Sequence, residues 1–279
     1  MSLLEHLQEA RDRFIKSAAV VIGISLFSFI FSLKTFIFQE VTLILPSFSI
    51  SENLASQFIA RIKVDMLPDY VTLVVLSPSQ AIVAQIYMAI FVGLVIGMPF
   101  LVYQILRFIS PGLYPEEKKL FMKLIVPATL LFLFGASFSY YFVAPFSLDF
   151  LYRYAAPLKA DTFITINGLI SFVLRFIFGF GIAFQLPIFM WALTKIGVVP
   201  PSYWKNNLRY AFVVMIVFGA VVTPDGSGVT MWLVAGPMMI LYVLGYWFVN
   251  KKFSQPDSST DSANLEVIYT PESADKTQT

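Results

Sequence analysis

The side chains with the strongest claim to chemistry are two carboxylates that flank apolar runs. Glu9 sits in the amphipathic stretch Ser2 to Phe14, where Leu3, Leu7, Ala10 and Phe14 fall on one helical face and Glu5, Glu9, Asp12 and Arg13 lie elsewhere. It precedes Arg13 by four residues, the favourable order for a helical ion pair, and spacing alone asks for no more than that pair. Glu117 lies in Phe108-Ile109-Ser110-Pro111-Gly112-Leu113-Tyr114-Pro115-Glu116-Glu117-Lys118-Lys119. Pro115 suits the first position of a helix, and acids just after it meet the positive end of the helix dipole. Two adjacent acids among basic neighbours exceed what that role requires. A carboxylate grips a guanidinium through two parallel hydrogen bonds, so Glu9 and Glu117 read as a shared acidic site for an arginine-bearing peptide.

Three further polar residues need an account. Arg175 and Gln185 interrupt an apolar run. A charge at membrane depth is costly and marks a functional position by default, although Arg175 is also placed to snorkel outward. Gln185 is suited to a hydrogen bond between helices. Asp225, in Thr223-Pro224-Asp225-Gly226, fits ordinary turn chemistry. The chain has no cysteine and one histidine, His6, which excludes disulfides, thiolate chemistry and a multi-histidine metal site. No nucleophile with a base and no phosphate-binding glycine loop is present, so neither enzymatic activity nor a cofactor is expected.

The elements that must position these residues are membrane helices. Hydrophobic residues make up 58% of the chain, charged residues only 13%, and mean hydropathy is +0.76. A soluble domain carries about 25% charged residues. Six apolar runs stand near 14–33, 81–106, 121–143, 169–193, 210–222 and 229–249. A spanning helix needs roughly 20 apolar residues, so the fold class is an all-α membrane protein of six transmembrane helices, the fifth short. The N-terminal amphipathic stretch is expected as a separate interfacial helix ahead of the first span. Domain organisation follows: a transmembrane domain over 1–252 and a disordered, solvated tail over 253–279, rich in Ser, Thr, Asp and Pro.

Basic residues set the orientation. Arg11, Arg13, Lys16, Arg107, Lys118, Lys119, Lys123, Lys195, Lys205, Arg209, Lys251, Lys252 and Lys276 fall on one side. Only Lys34, Arg61, Lys63, Arg153 and Lys159 fall on the other, despite its longer loops. Both termini are therefore expected in the cytoplasm. The outer loop from Gln39 to Gln80 is expected to hold a helix capped by Ser51, with Leu54, Phe58, Ile62 and Met66 on its apolar face, and a short extended segment within Tyr70–Leu76. A net charge of +2 gives no reason to expect nucleic acid as a partner. Gly93, Gly97, Gly179 and Gly181 read as helix-contact residues.

The order of motifs resembles the TatC family, the multispanning component of the twin-arginine protein translocase, from about Leu4 to Val249. The resemblance is carried by His6-Leu7-Gln8-Glu9-Ala10-Arg11-Asp12-Arg13-Phe14; by Pro99, Tyr103-Gln104, Phe108, Pro111-Gly112-Leu113-Tyr114 and Glu117; and by Phe134-Gly135, Phe138, Tyr140, Pro145 and Phe150. Gly181, Phe184, Gln185 and Pro187 continue it, followed by Arg209-Tyr210 and Thr223-Pro224-Asp225. It implies a signal-peptide receptor in a complex that exports folded proteins across the cytoplasmic membrane of a prokaryote, driven by the proton-motive force. It further implies twin-arginine signal peptides as ligands, single-span partners of the TatA and TatB type, and several copies of the chain in one complex. Glu9 and Glu117 match the family's recognition acids, with Arg11, Phe108, Pro111 and Leu113 in the motifs around them. Gln185 matches an intramembrane partner-contact position that is often Glu, and here it cannot titrate. Gln80, Tyr87 and Val243 stand where Glu, Lys and an acid are expected, and Arg175 is an addition with no family role, kept with Gln185 as an intramembrane partner contact. The competing reading, a secondary transporter or channel for a small solute, needs a polar path, and Arg175 is the lone clearly ionisable residue deep in the spans.

Overall fold

The computed structural model describes residues 3–38, 41–49, 51–109, 115–154, 157, 162–223 and 226–253. Five helical stretches among them are long and apolar enough to cross a membrane: Leu4–Ile30, Pro78–Phe108, Ile125–Arg153, Ile166–Lys195 and Val229–Phe253. A shorter apolar helix, Leu208–Val222, lies between the last two. The protein is an all-helical membrane protein, and the fifth expected span, the short one, corresponds to this helix.

Helix α1 runs without a break from Leu3 to Ile30. The expected division into an interfacial helix and a separate first span is therefore corrected: the amphipathic start is the first two turns and more of one helix. At 1.5 Å per residue its 28 residues extend about 42 Å, beyond a hydrocarbon core of about 30 Å, so the polar turns need no bend to reach the interface. The first span also ends earlier than expected. Phe31–Phe38 forms strand β1, paired antiparallel with β2, Val41–Phe48. The apolar run to Leu33 is aromatic and extended at its end, and hydropathy alone does not separate the two conformations.

Helix α2, Leu54–Met66, follows at the same end of the molecule, and β3, Thr72–Val74, supplies the expected extended segment. Asn53, not Ser51, caps α2: its side-chain oxygen accepts from the Ser56 backbone amide at 2.8 Å, and its amide donates to Gln85 Oε1 at 2.9 Å. A cap joined to a second helix is held more firmly than a solvent-facing serine. The buried face of α2 is Ala55, Ile59, Ile62 and Met66, while Phe58 points outward, because a 3.6-residue period rather than a strict four selects the face.

Helix α3, Pro78–Ile109, packs antiparallel along α1 and continues through Pro99. After it come α4, Pro115–Met122, and α5, Ile125–Phe138, so the third span starts later than residue 121. A π-helical turn, Ser139–Val143, joins α5 to α6, Ala144–Arg153. Strand β4, Phe163–Thr165, pairs parallel with β3 and leads into α7, Ile166–Ala183. Thr165 caps α7 by accepting from Gly168 N at 3.1 Å. Helix α8, Leu186–Lys195, takes over at Gln185, where Pro187 removes a backbone donor. Then come α9, Pro201–Asn206, α10, Leu208–Val222, and α11, Val229–Phe253. Gly226 and Gly228, at φ 61° and 69°, turn the chain from α10 to α11. The tail beyond Phe253, expected to be disordered, lies outside the described residues.

The core centres on α7. Leu169, Ile170, Val173, Phe176 and Phe180 are fully buried against α3, α5 and neighbouring elements. Several glycines set close approaches between helices, among them Gly93 and Gly135. A Cβ at Gly93 in α3 stands 2.7 Å from the Val21 carbonyl of α1, and one at Gly135 in α5 stands 2.8 Å from the Phe180 carbonyl of α7. Gly97, by contrast, has ordinary contacts, the nearest 3.5 Å away.

Candidate functional site

The site begins where α1 starts and α3 ends. In a water-surrounded helix the apolar face packs and the polar face looks out; here the arrangement is reversed. Leu7 and Phe14 are exposed at 58% and 74%, while Glu9 and Arg13 turn toward α3. Lipid makes this favourable, since apolar side chains lose nothing by facing hydrocarbon and polar ones must pair internally.

Arg13 donates through Nε to Glu9 Oε1 at 2.9 Å, and its Nη2 donates to the same oxygen. Its Nη1 reaches across to Gln104 Oε1 of α3 at 3.3 Å. Gln104 is buried, so the arginine joins a helix-borne carboxylate to an amide embedded in the neighbouring helix. One turn earlier, the ring of His6 stacks on Phe108 with centroids 4.4 Å apart. These contacts fix the register of α1 against the last turns of α3.

Glu9 keeps one unused acceptor. Its Oε2 is buried and has no hydrogen-bond partner among the described residues. A half-satisfied carboxylate beside an arginine that already saturates its other oxygen is an acceptor poised for a further donor. The spacing-based expectation of an ion pair with Arg13 is met, and the geometry adds a free lone-pair face that spacing did not reveal.

Arg11 does not join this cluster: it points outward and pairs with adjacent Asp12 at 3.0 Å. Glu117 lies in the first turn of α4, as the Pro115 start predicted. Pro111, Leu113 and Asp225 lie outside the described residues. Gln185 donates from Nε2 to the Ala128 carbonyl of α5 at 3.0 Å, an interhelical bond of the kind expected. Arg175 is exposed on α7, with no hydrogen bond or ion pair among the described residues. No cluster of three or more His, Cys, Asp or Glu that could hold a metal occurs among the described residues. Sequence reasoning assigned no role to Gln104; an amide interrupting an apolar run was the signal for it. Arg13 as a bridge between helices carried no signal, because its partner lies 91 residues away.

Fold and site define a class: a multispanning helical membrane protein that gathers polar side chains at one end of a helix pair and leaves its lipid-facing surface apolar. Residues 5–237 match the family described as Sec-independent protein translocase protein (TatC). The TatC protein of Cenarchaeum symbiosum is 36% identical over 252 residues, covering 90% of this chain and 96% of the relative. That of Aquifex aeolicus is 35% identical over 245 residues, covering 87% and 92%. A solved structure, the crystal structure of the twin arginine translocase receptor TatC, superposes with a TM-score of 0.73 at 31% identity, covering 90% of this chain and all of the other. The chain belongs to the TatC family of the Sec-independent protein translocase.

Proposed function

We propose that this chain is the twin-arginine signal-peptide receptor and core subunit of a translocase that exports folded proteins, with Glu9 and Glu117 as the carboxylates that take the arginine pair. The observation that carries the reading is the buried, unpartnered Oε2 of Glu9, one side of a carboxylate whose other oxygen is held by Arg13. An incoming guanidinium satisfies that oxygen, and the second arginine of the pair is assigned to Glu117 on α4. Phe108, whose ring stacks on His6, is assigned to peptide binding together with Arg11, Pro111 and Leu113, from the motifs around the two acids. The last turns of α3 and α11 bring Arg107, Lys251 and Lys252 to this end, which supports a cytoplasmic placement by the bias of basic residues toward that side.

In this reading α10 completes a six-span bundle with both termini in the cytoplasm of a prokaryote. Copies of the chain assemble with single-span partners of the TatA and TatB type, which contact the membrane face around Gln185 and Arg175. The proton-motive force drives transport. The natural absence of cysteine makes the orientation easy to test. Single cysteines at Lys195 and Ser227 should be labelled by an impermeant reagent from opposite sides of the membrane.

The recognition test uses Glu9→Gln and Glu117→Gln in the reconstituted protein. Each should weaken binding of a twin-arginine peptide while leaving its lysine-pair counterpart, already weak, nearly unchanged. The loss should be about 2–5 kcal/mol where the carboxylate is desolvated on binding. Unchanged affinity in both variants overturns the assignment.

A further inference from the structure

Helix α2 carries a charged cluster that the recognition end does not use. Arg61 donates from Nε to Asp65 Oδ2 at 2.9 Å, and Tyr140, in the π-helical turn after α5, donates its hydroxyl to the same oxygen at 2.6 Å. An exposed ion pair four residues apart contributes little and needs no third member. Here the Asp65 side chain is only 22% exposed, and one of its oxygens collects both donors. Its Oδ1 and both Nη groups of Arg61 make no hydrogen bond among the described residues. The cluster thus presents a carboxylate acceptor and a guanidinium fork side by side. Turns of the π-helical kind are frequent at functional sites.

The cluster stands at the mouth of an apolar groove. A cavity of about 390 Å³ has Arg61, Asp65 and Tyr140 in its wall and continues along α3 from Met88 to Ile96, and along α5 from Tyr141 back to Leu133, with Ile177 of α7 beside them. Each of the two long walls covers eight residues of helix, about 12 Å. The polar mouth lies at the α2 end, because Gln85, three residues before Met88, bonds to Asn53 at the start of α2. Arg61 and Asp65 are the only charged side chains that line the cavity among the described residues. A polar mouth over a narrow apolar channel has the shape of a headgroup above an acyl chain.

We propose that this groove is a binding site for a phospholipid whose headgroup carries a primary ammonium, of the phosphatidylethanolamine class, with one acyl chain lying along α3 and α5. Charge complementarity selects the headgroup. The mouth holds one cation and one anion. An acidic headgroup gains Arg61 but meets the Asp65 carboxylate, and a simple cation meets the reverse conflict. A zwitterion answers both: its phosphate takes the Nη fork of Arg61 through two parallel hydrogen bonds, and its ammonium donates to Asp65 Oδ1. A quaternary ammonium has no N–H to give, so a phosphatidylcholine leaves Oδ1 unpaired.

The test uses the full chain in bilayers of equal parts phosphatidylethanolamine, phosphatidylcholine and phosphatidylglycerol, all with the same acyl chains. Native mass spectrometry counts the lipids that stay on the released protein. A photoreactive diazirine on the acyl chain of each lipid in turn shows where it lies. Phosphatidylethanolamine should be retained about tenfold over phosphatidylcholine, as a hydrogen bond to a charged group warrants, and should crosslink to the segments around Leu133 and Ile177. On the unaltered protein, stepwise N-methylation of the headgroup should abolish the preference when the last N–H is lost, a result that needs no variant to fold. Asp65→Asn should remove the preference for the primary ammonium, and Arg61→Gln should weaken retention of every phospholipid. Ile96→Trp, which fills the groove without touching the charged cluster, should remove the crosslinks. Equal retention of phosphatidylethanolamine and phosphatidylcholine, a preference that persists in Asp65→Asn, or crosslinks that fall elsewhere overturns the proposal, as does a protein that retains no lipid. A preference for phosphatidylglycerol that disappears in Arg61→Gln overturns it in favour of a phosphate contact alone.

Discussion

Substituting Gly93 with alanine separates a close helix contact from the composition that surrounds it. The added Cβ meets the Val21 carbonyl at 2.7 Å and clashes with Ser25 Oγ. The hydroxyl can rotate, although it loses its 2.7 Å bond to Val21 O, but the backbone carbonyl cannot. Restoring a contact of about 3.5 Å forces α1 and α3 apart by about 0.5–1 Å. Overpacking of this size costs about 1–3 kcal/mol. The Arg13–Gln104 bond, already 3.3 Å long, lies about three turns farther along α3 and should break, so loss of stability should come with weaker twin-arginine peptide binding. Gly97→Ala, one turn on, is the control, because its nearest neighbour is a methyl group of Val21 at 3.5 Å. Unfolding of the purified protein in a mixed-micelle detergent titration measures the difference. Gly97→Ala should lie within about 0.5 kcal/mol of the parent, the usual range for a harmless substitution. Equal stability of the two variants refutes the claim that Gly93 sets the spacing on which the polar cluster depends.

Two other substitutions probe elements that the sequence located only coarsely. Asn53→Ala removes both the α2 cap and the bond to Gln85, and should lower stability by about 1–2 kcal/mol in the same titration, whereas Ser51→Ala should leave it unchanged. Gln185→Leu removes the bond to the Ala128 carbonyl, which keeps its helical donor, and should cost about 1 kcal/mol; Gln185→Glu should preserve stability better at low pH than at high pH, since only the protonated acid can donate to that carbonyl.

The membrane class, the span centres and the contact role of Gly93 were legible because hydropathy and small-residue placement act locally. The β1–β2 hairpin was not: Phe31, Ser32 and Leu33 continue an apolar run, and their extended conformation depends on partners at Phe48, Ser47 and Pro46. The cap of α2 was misplaced by two residues because Asn53 is selected by Gln85, on a different helix. The π-turn at Ser139–Val143 carries no hydropathy signal at all. At the site, the Glu9–Arg13 pair follows from spacing, but the inward turn of that polar stripe does not. It follows from lipid as the solvent, which inverts the side of an amphipathic helix that packs. The unused oxygen of Glu9 appears only once Arg13 is seen to spend its other nitrogen on Gln104.

The most direct test places a photoreactive residue at position 8, beside Glu9, and separately at 118, beside Glu117, in the membrane-reconstituted protein. It asks which peptide becomes attached. Both positions should crosslink to a peptide carrying two arginines and lose most of that yield when the pair is replaced by two glutamines. Crosslinking that is indifferent to the arginine pair, or absent from both positions, contradicts the assignment of this end of the molecule as the receptor site.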